Sequence, residues 1–279
     1  MEIRTLENIA LSQLLEAFNQ AFSDYMIRLQ LTPESLATKI IAENINLEAS
    51  VGVFDQGELK GFILHGLGQV NGLETVYNAG TAIVPEYRGQ KLGEQMYRFI
   101  IPLLKEQGYS RHQLEVIEGN GPAIRLYEKI GFKISREFGC YKGKVASANH
   151  PDWDIRSINQ LDWALVKTFL DVEPSWQNSA AAIRRTADQH FFVGAFAQDE
   201  LVGYAVLAQV NGRIKQFGVK KDKRRQGIGT ALFSYLSGLN TDGELSFINY
   251  QESDTTPEEF FQKLNMQRFI GTYEMIMNL

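Results

Sequence analysis

The chain has 279 residues, 44% hydrophobic and 22% charged, which is long enough for two globular domains with cores of their own and gives no sign of disorder. Its 28 basic and 33 acidic residues give a net charge of −5, which argues against nucleic acid as a partner and permits a cationic one. The single cysteine excludes an intrachain disulfide, and the lack of a long apolar run or a signal-like start predicts a cytoplasmic protein without a membrane partner.

An internal repeat predicts the domain organisation. The segment VGVFDQGELKGF, which begins at Val51, recurs as VGAFAQDELVGY from Val193. A single pair of long repeats indicates two domains and not a solenoid. Residues 143–152 are small and polar and include a proline, a composition typical of linkers. We therefore predict one domain at residues 1–147 and a second at residues 148–279.

Three strand-like segments follow one another in the first copy. They lie at residues 50–54, 59–70 and 74–84, and turn signals with Asp, Asn and Gly separate them. This pattern predicts an antiparallel meander. Pro85 then ends the last strand, because proline cannot donate to a strand ladder.

A basic loop leads into a helix in each copy. The first copy has EYRGQKLG from residue 86, and the second has KKDKRRQGIG from residue 220. Free backbone N–H groups and the positive end of the helix dipole make such a junction an anion site. A nucleic-acid patch is the alternative for KKDKRR, but its five basic residues are few in an acidic chain. Neither loop matches the phosphate-binding motif of nucleotide triphosphatases.

The segment LEVIEGNGPAIRLYEKIGF, at residues 114–132, reads as a strand, a turn and a helix. It carries a carboxylate at Glu115, an amide at Asn120 and a phenol at Tyr127. These groups suit acyl transfer to an amine, because Glu115 can accept the proton of the amine and Tyr127 can donate one to a departing thiolate. Taken singly, the same residues also fit a solvated strand carboxylate, a helix cap and a core aromatic.

The complete string L-E-V-x-x-x-N-x-x-A-x-x-x-Y-x-x-x-G-F resembles the second half of the GNAT N-acetyltransferase signature at every fixed position. It is most similar to the branch of the ribosomal-protein N-terminal acetyltransferases. The resemblance implies that Glu115 is the general base, Tyr127 the general acid and Asn120 a contact for pantetheine. It also implies an α/β fold with two GNAT-like domains in tandem, each a mixed, mainly antiparallel sheet flanked by helices. Strands 74–84 and 112–117 are expected to splay and admit the cofactor.

The two anion loops resemble the pyrophosphate pattern of the family, R/Q-x-x-G-x-G/A, to different degrees. RRQGIG from Arg224 fits it completely, whereas RGQKLG from Arg88 has Lys91 where the pattern has glycine. We expect Lys91 to lie in the first helical turn with ordinary right-handed dihedrals and its ammonium to meet a phosphate. The resemblance assigns coenzyme A binding to Ile83, Val84, Arg88, Gly89, Gln90, Lys91, Leu92, Gly93, Asn120, Val219, Arg224, Arg225, Gln226, Gly227, Ile228 and Gly229.

The second copy lacks the catalytic groups. Ser246 stands where the glutamate is expected, and Phe261 stands where the tyrosine is expected. Phe261 has no proton to give, and Ser246 is a poor proton acceptor at neutral pH. We therefore predict catalysis in residues 1–147 and a structural or CoA-binding role for the second copy.

The predicted reaction is N-acetylation of a primary amine of a small molecule or peptide, by direct attack on acetyl-CoA and without a metal, since the four histidines are scattered. A CoA-binding pseudoenzyme is the alternative, favoured by Lys91 and by the second copy. The acidic composition favours a polyamine, an aminoglycoside or a basic peptide over an anionic acceptor. Asp24 and Tyr25 either line its pocket, as this region does in GNAT proteins, or lie in an ordinary loop. A monomer with internal pseudo-symmetry or a homodimer is expected.

Overall fold

The computed structural model describes residues 1–27, 29–146, 152–251 and 257–279. It divides into two compact units, of which unit 1 comprises Met1–Arg136 and Tyr273–Leu279, and unit 2 comprises Glu137–Thr272. The predicted boundary between residues 147 and 148 lies outside the described residues. The grouping also differs from the prediction in two segments, because residues 137–146 belong to unit 2 and residues 273–279 to unit 1. A repeat in the sequence shows which segments are alike, but it does not show which copy a strand joins.

Unit 1 contains five complete strands and four helices within its described residues. The strands are β1 (Glu2–Thr5), β2 (Ile45–Asp55), β3 (Glu58–Val70), β4 (Leu73–Ile83) and β5 (Arg111–Ile117). The helices are α1 (Leu11–Ala21), α2 (Pro33–Glu43), α3 (Leu92–Glu106) and α4 (Gly121–Ile130).

Two further strands cross the boundaries of the units along the chain. Strand β6 (Lys133–Lys144) begins in unit 1 and continues into unit 2, and strand β12 (Gln267–Asn278) begins in unit 2 and ends in unit 1. The end of β12 lies next to β5, and the backbone N–H of Leu279 donates to the carbonyl of Ser110 at 2.9 Å. The final strand of unit 1 therefore comes from the far end of the chain.

Unit 2 repeats this plan with its own strands and helices. The strands are β7 (Asp154–Ile158), β8 (His190–Ala197), β9 (Glu200–Ala208), β10 (Arg213–Val219) and β11 (Glu244–Gln251). The helices are α5 (Trp163–Lys167), α6 (Ala180–Arg185), α7 (Ile228–Leu239) and α8 (Pro257–Lys263).

The sheet of each unit is mixed and mainly antiparallel. In unit 1, β1, β2, β3 and β4 pair antiparallel in that order, and β4 pairs parallel with β5. In unit 2, β7, β8, β9 and β10 pair antiparallel, β10 pairs parallel with β11, and β11 pairs antiparallel with β6. The predicted α/β class, the meander and the mixed sheets are confirmed.

Apolar side chains fill both units. In unit 1, Met96 and Ile100 of α3 pack with Val51 and Leu114 of the sheet, and β12 adds Met275 to this core. In unit 2, residues of α7 and β8 to β11 form the corresponding cluster, with Phe261 fully buried in it. No helix within the described ranges is long and apolar enough to cross a membrane.

Local sequence signals set the helix ends near the site. The Asn120 side chain accepts a hydrogen bond from the Ala123 N–H at 3.3 Å and caps α4, which carries Pro122 in its first turn. Gly131 ends the helix with φ +118°, a left-handed conformation that favours glycine. The predicted helix is confirmed, and a proline at its start and a glycine at its end set its bounds.

Candidate active site

A gap opens between the two parallel strands of unit 1. Their pairing runs from Thr75–Arg111 to Asn78–Leu114, and no later pair joins them among the described residues. A bulge in β4 lies at the same point, because Leu64 of β3 pairs with Gly80 whereas its neighbour His65 pairs with Asn78. A bulge bends its strand and increases the local twist, so β4 turns away from β5 beyond this point. The predicted splay is present.

The backbone groups at the end of β4 are partly engaged within the protein. The N–H of Val84 donates to the carbonyl of Lys60 at 2.9 Å. The carbonyl of Ile83 accepts from Nε of Arg88 at 3.0 Å. These two groups, named as contacts for the cofactor, therefore already have partners.

Glu115 lies on β5 directly after the last paired residue. Its Oε2 accepts a hydrogen bond from the hydroxyl of Tyr77, and its Oε1 is buried without a hydrogen-bond partner in the described part of the chain. Burial raises the pKa of Glu115 to about 7, the Tyr77 hydroxyl opposes this rise, and the nearby carboxylates of Glu274 and Glu43 add to it. A carboxyl group with this pKa is suited to exchange protons near neutral pH.

Tyr77 is a site residue that the sequence did not indicate. It lies on β4, opposite Gln113, and its hydroxyl reaches the Glu115 carboxylate from the neighbouring strand. Only the parallel pairing of β4 with β5 brings these positions together, and the family string does not extend to β4. A tyrosine in a strand next to the catalytic strand is the one available signal, and it is common in sheets.

Tyr127 is buried in the core formed by α3 and α4. Its ring lies 6.2 Å from that of Tyr97 and 5.8 Å from that of Phe132, measured between centroids. Burial raises the pKa of Tyr127 to about 12, although hydrogen bonding with Thr81 and Asn78 partly offsets this effect. The phenol is therefore protonated at neutral pH and is suited to donate a proton or a hydrogen bond, not to act as a base.

Glu115 and Tyr127 approach the sheet from opposite faces. Leu114 and Val116 pack in the same apolar cluster as Tyr127. Because successive side chains of a strand point to opposite faces, Glu115 points to the other face. The two groups can act on one bond only through the gap between β4 and β5.

The loop that leads into α3, at residues 86–93, is called the phosphate loop of unit 1, and its counterpart at residues 220–229 the phosphate loop of unit 2. The phosphate loop of unit 1 differs from the prediction at Lys91. This residue is the N-cap of α3, and its φ of +58° and ψ of 24° are left-handed. The expectation of right-handed dihedrals was wrong, because the helix begins one residue later, at Leu92. Gly89 also has a positive φ, of +79°. Within the described ranges no cap hydrogen bond forms from the Lys91 side chain, so the first N–H groups of α3 remain suitable for an anion.

The phosphate loop of unit 2 has the same backbone with the residue types exchanged. Its first left-handed position is Arg225, with φ +63°, and its second is Gly227, with φ +86°. Each loop thus contains one glycine and one basic residue at its two left-handed positions. Both loops are solvent-exposed at these residues and lead into a helix of more than two turns, which fits a diphosphate.

The remaining motif residues shape the loops and their packing. A Cβ on Gly93 would lie 2.8 Å from Leu126 of α4, and a Cβ on Gly229 would lie 3.0 Å from Phe260 of α8. These glycines therefore let each helix approach the next one closely. Leu92 and Ile228 are buried, and the carbonyls of Gln90 and Gln226 accept hydrogen bonds from Gln95 and Trp153.

The first arginine of each loop binds protein groups. In unit 1, Arg88 donates from Nη1 to Asp24 Oδ2 at 2.6 Å and from Nη2 to Asp24 Oδ1 at 2.8 Å. Nη2 also donates to the carbonyl of Ala21 at 2.9 Å. Asp24 is thus the partner of Arg88. The Arg88 guanidinium also holds the pKa of the Asp24 carboxyl below its usual value.

Tyr25, the neighbour of Asp24, reaches the start of helix α4. Its hydroxyl accepts a hydrogen bond from Nδ2 of Asn120 at 3.4 Å, and burial raises the pKa of Tyr25. Asn120 therefore caps α4 with its oxygen and contacts Tyr25 with its nitrogen. The predicted candidates Tyr25, Asn120 and Tyr127 lie in one neighbourhood.

In unit 2 the two positions that correspond to Glu115 and Tyr127 hold neither a carboxyl group nor a phenol. Tyr127 precedes the left-handed Gly131 as Phe261 precedes the left-handed Asn265, so these two positions correspond. The register of the strands changes which residue of unit 2 corresponds to Glu115. Leu114 pairs with Asn78 next to the bulge of β4, and Phe247 pairs with Ile214 next to the bulge of β10. Ile248, rather than Ser246, therefore occupies the position of Glu115.

Polar side chains bridge the corresponding strands in unit 2. The side chain of Asn178 donates from Nδ2 to the backbone carbonyl of Ile248 at 2.6 Å, and the backbone carbonyl of Asn178 accepts from Nε2 of Gln216 at 2.7 Å. Gln216 in turn accepts from the Tyr204 hydroxyl at 2.7 Å. Asn178 thus links β10 and β11 where the strands of unit 1 leave a gap. Among the described residues, no group of three or more His, Cys, Asp or Glu side chains could hold a metal ion.

Both halves of the chain match acetyltransferase family models. Residues 8–132 match the acetyltransferase (GNAT) family, and residues 164–266 match a second GNAT acetyltransferase domain. Together these matches cover most of the chain, with one model in each copy of the repeat.

Curated relatives match parts of the chain. A candidate [ribosomal protein bS18]-alanine N-acetyltransferase of Bacillus subtilis (strain 168) is 50% identical over 52 residues, which are 19% of this chain and 34% of the relative. The spermine/spermidine N(1)-acetyltransferase of the same organism is 34% identical over 100 residues, or 34% of this chain and 66% of the relative. The mycothiol acetyltransferase of Corynebacterium glutamicum is 27% identical over 49% of this chain and 46% of the relative. The chain thus spans from about a third to two thirds of the length of these relatives.

Solved structures share the fold along the whole chain. A tandem GNAT protein from the clavulanic acid biosynthesis pathway has a TM-score of 0.74 and 14% identity, and the match covers 99% of this chain and 98% of that one. A GCN5-related N-acetyltransferase from Sphaerobacter thermophilus has a TM-score of 0.71 and 14% identity, with 99% and 95% coverage. At these identities the likeness concerns the fold.

Proposed function

The chain belongs to the GNAT acetyltransferase family, and from this we propose that unit 1 transfers an acetyl group from acetyl-CoA to a primary amine by direct attack. The observation that carries the proposal is the position of Glu115. Its carboxyl group has a pKa of about 7 and lies at the point where the pairing of β4 and β5 ends. A proton acceptor is thus held beside the gap between the strands.

Glu115 is the general base in this proposal. An acceptor amine is protonated at neutral pH and must lose one proton before its lone pair can attack a carbonyl carbon. The Glu115 carboxylate accepts that proton, directly or through one water molecule. Tyr77 holds Oε2 by a hydrogen bond and leaves Oε1 without a partner in the described residues, so Oε1 is the atom that receives the proton.

Tyr127 assists the leaving group from the other face of the sheet. Acetyl-CoA supplies an activated acyl thioester, from which a thiolate departs as the new amide forms. With a pKa of about 12, the phenol is a weaker acid than a thiol, whose pKa is about 8.5. Tyr127 therefore donates a hydrogen bond to the departing sulfur, and complete proton transfer is an uphill step. Thr81 and Asn78 reduce this difference because they favour the ionised phenol.

The phosphate loop of unit 1 would hold the diphosphate of the cosubstrate. Its donors are the first backbone N–H groups of α3, with the exposed side chain of Lys91 beside them. The left-handed residues Gly89 and Lys91 turn the loop so that these groups face outward. Asn120 and Tyr25 lie toward the reacting end and are suited to contact the pantetheine arm and the acceptor.

We assign a cationic amine as the acceptor class. Glu43 and Glu274 both act on the charge of Glu115, so three carboxylates lie on the acceptor side of the sheet. Lys39 and Arg136 pair with two of them, which leaves Glu115 as the carboxylate for the substrate. The named activity of a relative, spermine/spermidine N(1)-acetylation, is of this chemical kind.

Unit 2 is assigned a supporting role. Ile248 and Phe261 at the two catalytic positions can neither accept nor donate a proton. Asn178 also bridges the strands that would have to part.

The test is a screen of amines with acetyl-CoA and a readout of the free thiol. Spermidine, an aminoglycoside and an alanine-terminal basic peptide are offered to the full chain and to its Glu115→Gln and Tyr127→Phe variants. The proposal expects turnover with a cationic amine that both variants lose, while calorimetry shows unchanged affinity for acetyl-CoA. Binding of acetyl-CoA without turnover on any amine would instead identify a CoA-binding regulator.

A further inference from the structure

Both units contain the same ion-pair arrangement between the first arginine of the phosphate loop and a loop after the first helix. Arg224 of unit 2 donates from Nη1 to Asp171 at 2.6 Å, from Nη2 to the carbonyl of Phe169 at 2.7 Å and from Nε to the carbonyl of Val219 at 3.1 Å. Arg88 of unit 1 makes the same set of bonds from the same three nitrogens. We refer to each arrangement as the arginine latch.

The latch uses the donor nitrogens that a diphosphate would otherwise contact. Nε, Nη1 and Nη2 of Arg88 all have protein acceptors, and the pair with Asp24 is bidentate. An anion could take Arg88 only by displacing a carboxylate in good geometry. Recognition of the diphosphate therefore falls to the backbone N–H groups of the loop.

The latch is present in the unit that lacks the acid–base pair. Its function is therefore not proton transfer, and its position suggests what it does. Each latch joins the end of the last antiparallel strand, the start of the phosphate loop and the segment after the first helix. One guanidinium thus fixes the positions of three parts of the fold.

In unit 1 the latched segment reaches helix α4. Asp24 is followed by Tyr25, whose hydroxyl is bonded to Asn120 at the start of α4. Asp171 of unit 2 is followed by Val172, which has no hydroxyl to offer. The second latch, in which Lys221 also pairs with Asp171 at 3.3 Å, therefore serves as a control for the first.

Building on the proposed function, we propose that Arg88 and Asp24 are positioning residues that couple the phosphate loop to Tyr25, so that binding of the diphosphate orders the acceptor side of the site. Neither residue touches the reacting atoms. The latch transmits the position of the loop at Arg88 to the segment at residues 22–27.

The first experiment measures hydrogen exchange with and without acetyl-CoA. In the native chain, acetyl-CoA should slow exchange in peptides covering residues 88–95 and also in those covering residues 22–27. In Asp24→Asn the first effect should remain and the second should be lost, while Asp171→Asn should behave as the native chain does. Coupled protection that persists in Asp24→Asn would overturn the proposal.

The second experiment is a double-mutant cycle on affinity for acetyl-CoA and on acceptor KM. Exposed charge-assisted pairs contribute only a modest free energy. Asp24→Asn and Arg88→Lys should therefore each raise the acceptor KM by about fivefold. Each should change the acetyl-CoA Kd by less than about threefold. The double variant should be no worse than either single variant, and Asp24→Glu should recover most of the loss. A large loss of acetyl-CoA affinity in Arg88→Lys that Asp24→Asn does not share would show a direct phosphate contact and refute the latch.

Exchange in the unliganded chain separates this proposal from the proposed function. The latch predicts faster exchange of residues 22–27 in Asp24→Asn even without a ligand. If no amine is acetylated but this effect is present, the proposed function fails and the latch stands. If turnover is normal and exchange of residues 22–27 is unchanged, the latch fails.

Discussion

The two units have the same scaffold but different side chains at two functional positions. In unit 1 a carboxyl group and a phenol flank the gap between the parallel strands, whereas in unit 2 Ile248 and Phe261 stand at these positions. Phe261 is fully buried and lies 4.2 Å from the ring of Tyr141, between centroids. The position on the helix is therefore an aromatic core position in both units, and the hydroxyl of Tyr127 is an addition that the fold does not require.

The phosphate loops show the opposite relation. Both keep the two left-handed positions and the arginine latch, and only the order of glycine and basic residue is exchanged. Backbone shape is thus retained where the acid and base are lost. The comparison separates the residues that shape the proposed anion site from those proposed to perform acyl transfer.

The largest expected effect comes from the base. Glu115→Gln should lower kcat/KM by about 10³-fold, because a positioned general base contributes roughly 10² to 10⁴. Steady-state kinetics with a cationic amine measures this effect. Ser246→Ala in unit 2 is the control and should leave the rate unchanged. A loss of less than tenfold in Glu115→Gln would place the base elsewhere.

Replacement of the acid should have the next largest effect. Tyr127→Phe should lower kcat by about 10²-fold, since a hydrogen bond to the leaving sulfur is lost while water can substitute in part. The variant should fold normally, because phenylalanine packs at the same position in unit 2. Thermal unfolding checks this point. If the melting temperature drops sharply, the rate loss cannot be assigned to chemistry.

The pH profile should report the ionisation of Glu115. Below a pH of about 7, which is the pKa of Glu115, kcat/KM should fall about tenfold per pH unit. Tyr77→Phe should move this midpoint to higher pH, because the Tyr77 hydroxyl opposes the rise in the pKa of Glu115. If Tyr77→Phe leaves the midpoint of the pH profile unchanged, the role given to Tyr77 is wrong.

The same group has a predictable effect on stability. The pKa of Glu115 is raised from 4.5 to about 7, so its favourable contribution to folding is present below the lower value and is lost as the pH rises through the upper one. The melting temperature of Glu115→Gln, measured relative to that of the native chain, should therefore be higher at pH 8 than at pH 5. Paired thermal scans at the two pH values measure this difference.

The smallest expected effect concerns the left-handed loop positions. Lys91→Gly should stabilise unit 1 by up to about 1 kcal/mol, because a non-glycine residue is strained at a positive φ. Gly227→Lys in unit 2 should destabilise by a similar amount. Denaturant unfolding of the two variants tests whether the exchanged residue types are equivalent. The two variants should change the free energy of unfolding in opposite directions. Changes in the same direction would mean that the loops differ in more than residue order.

Much of the fold could be predicted from residue patterns. The repeat predicted two domains, and the strand-like segments with turn signals between them predicted the meander, because such signals lie in neighbouring residues. The β4–β5 gap also followed from the family resemblance. Glu115 and Tyr127 lie beside it, but from opposite faces, which the string alone does not reveal.

Long-range pairing accounts for what sequence analysis missed. The Tyr77–Glu115 hydrogen bond depends on which strands are neighbours, and the Arg88–Asp24 pair joins segments distant in the chain. Ser246 was aligned with Glu115 from residue order alone, whereas the register of β10 with β11 places Ile248 there, and residue order does not reveal that register. The dihedrals of Lys91 depend on where the helix begins, which single residues determine only weakly.

The strand at residues 273–279 has a consequence for biosynthesis. Unit 1 needs this segment for its core, since Met275 is fully buried there, yet the whole of unit 2 is translated in between. At ribosomal rates of about 5 to 20 residues per second, the nascent N-terminal half waits on the order of 10 s with an unpaired edge beside β5. During that interval unit 1 lacks one strand of its core, so we expect it to complete its folding only after the ribosome has delivered both halves.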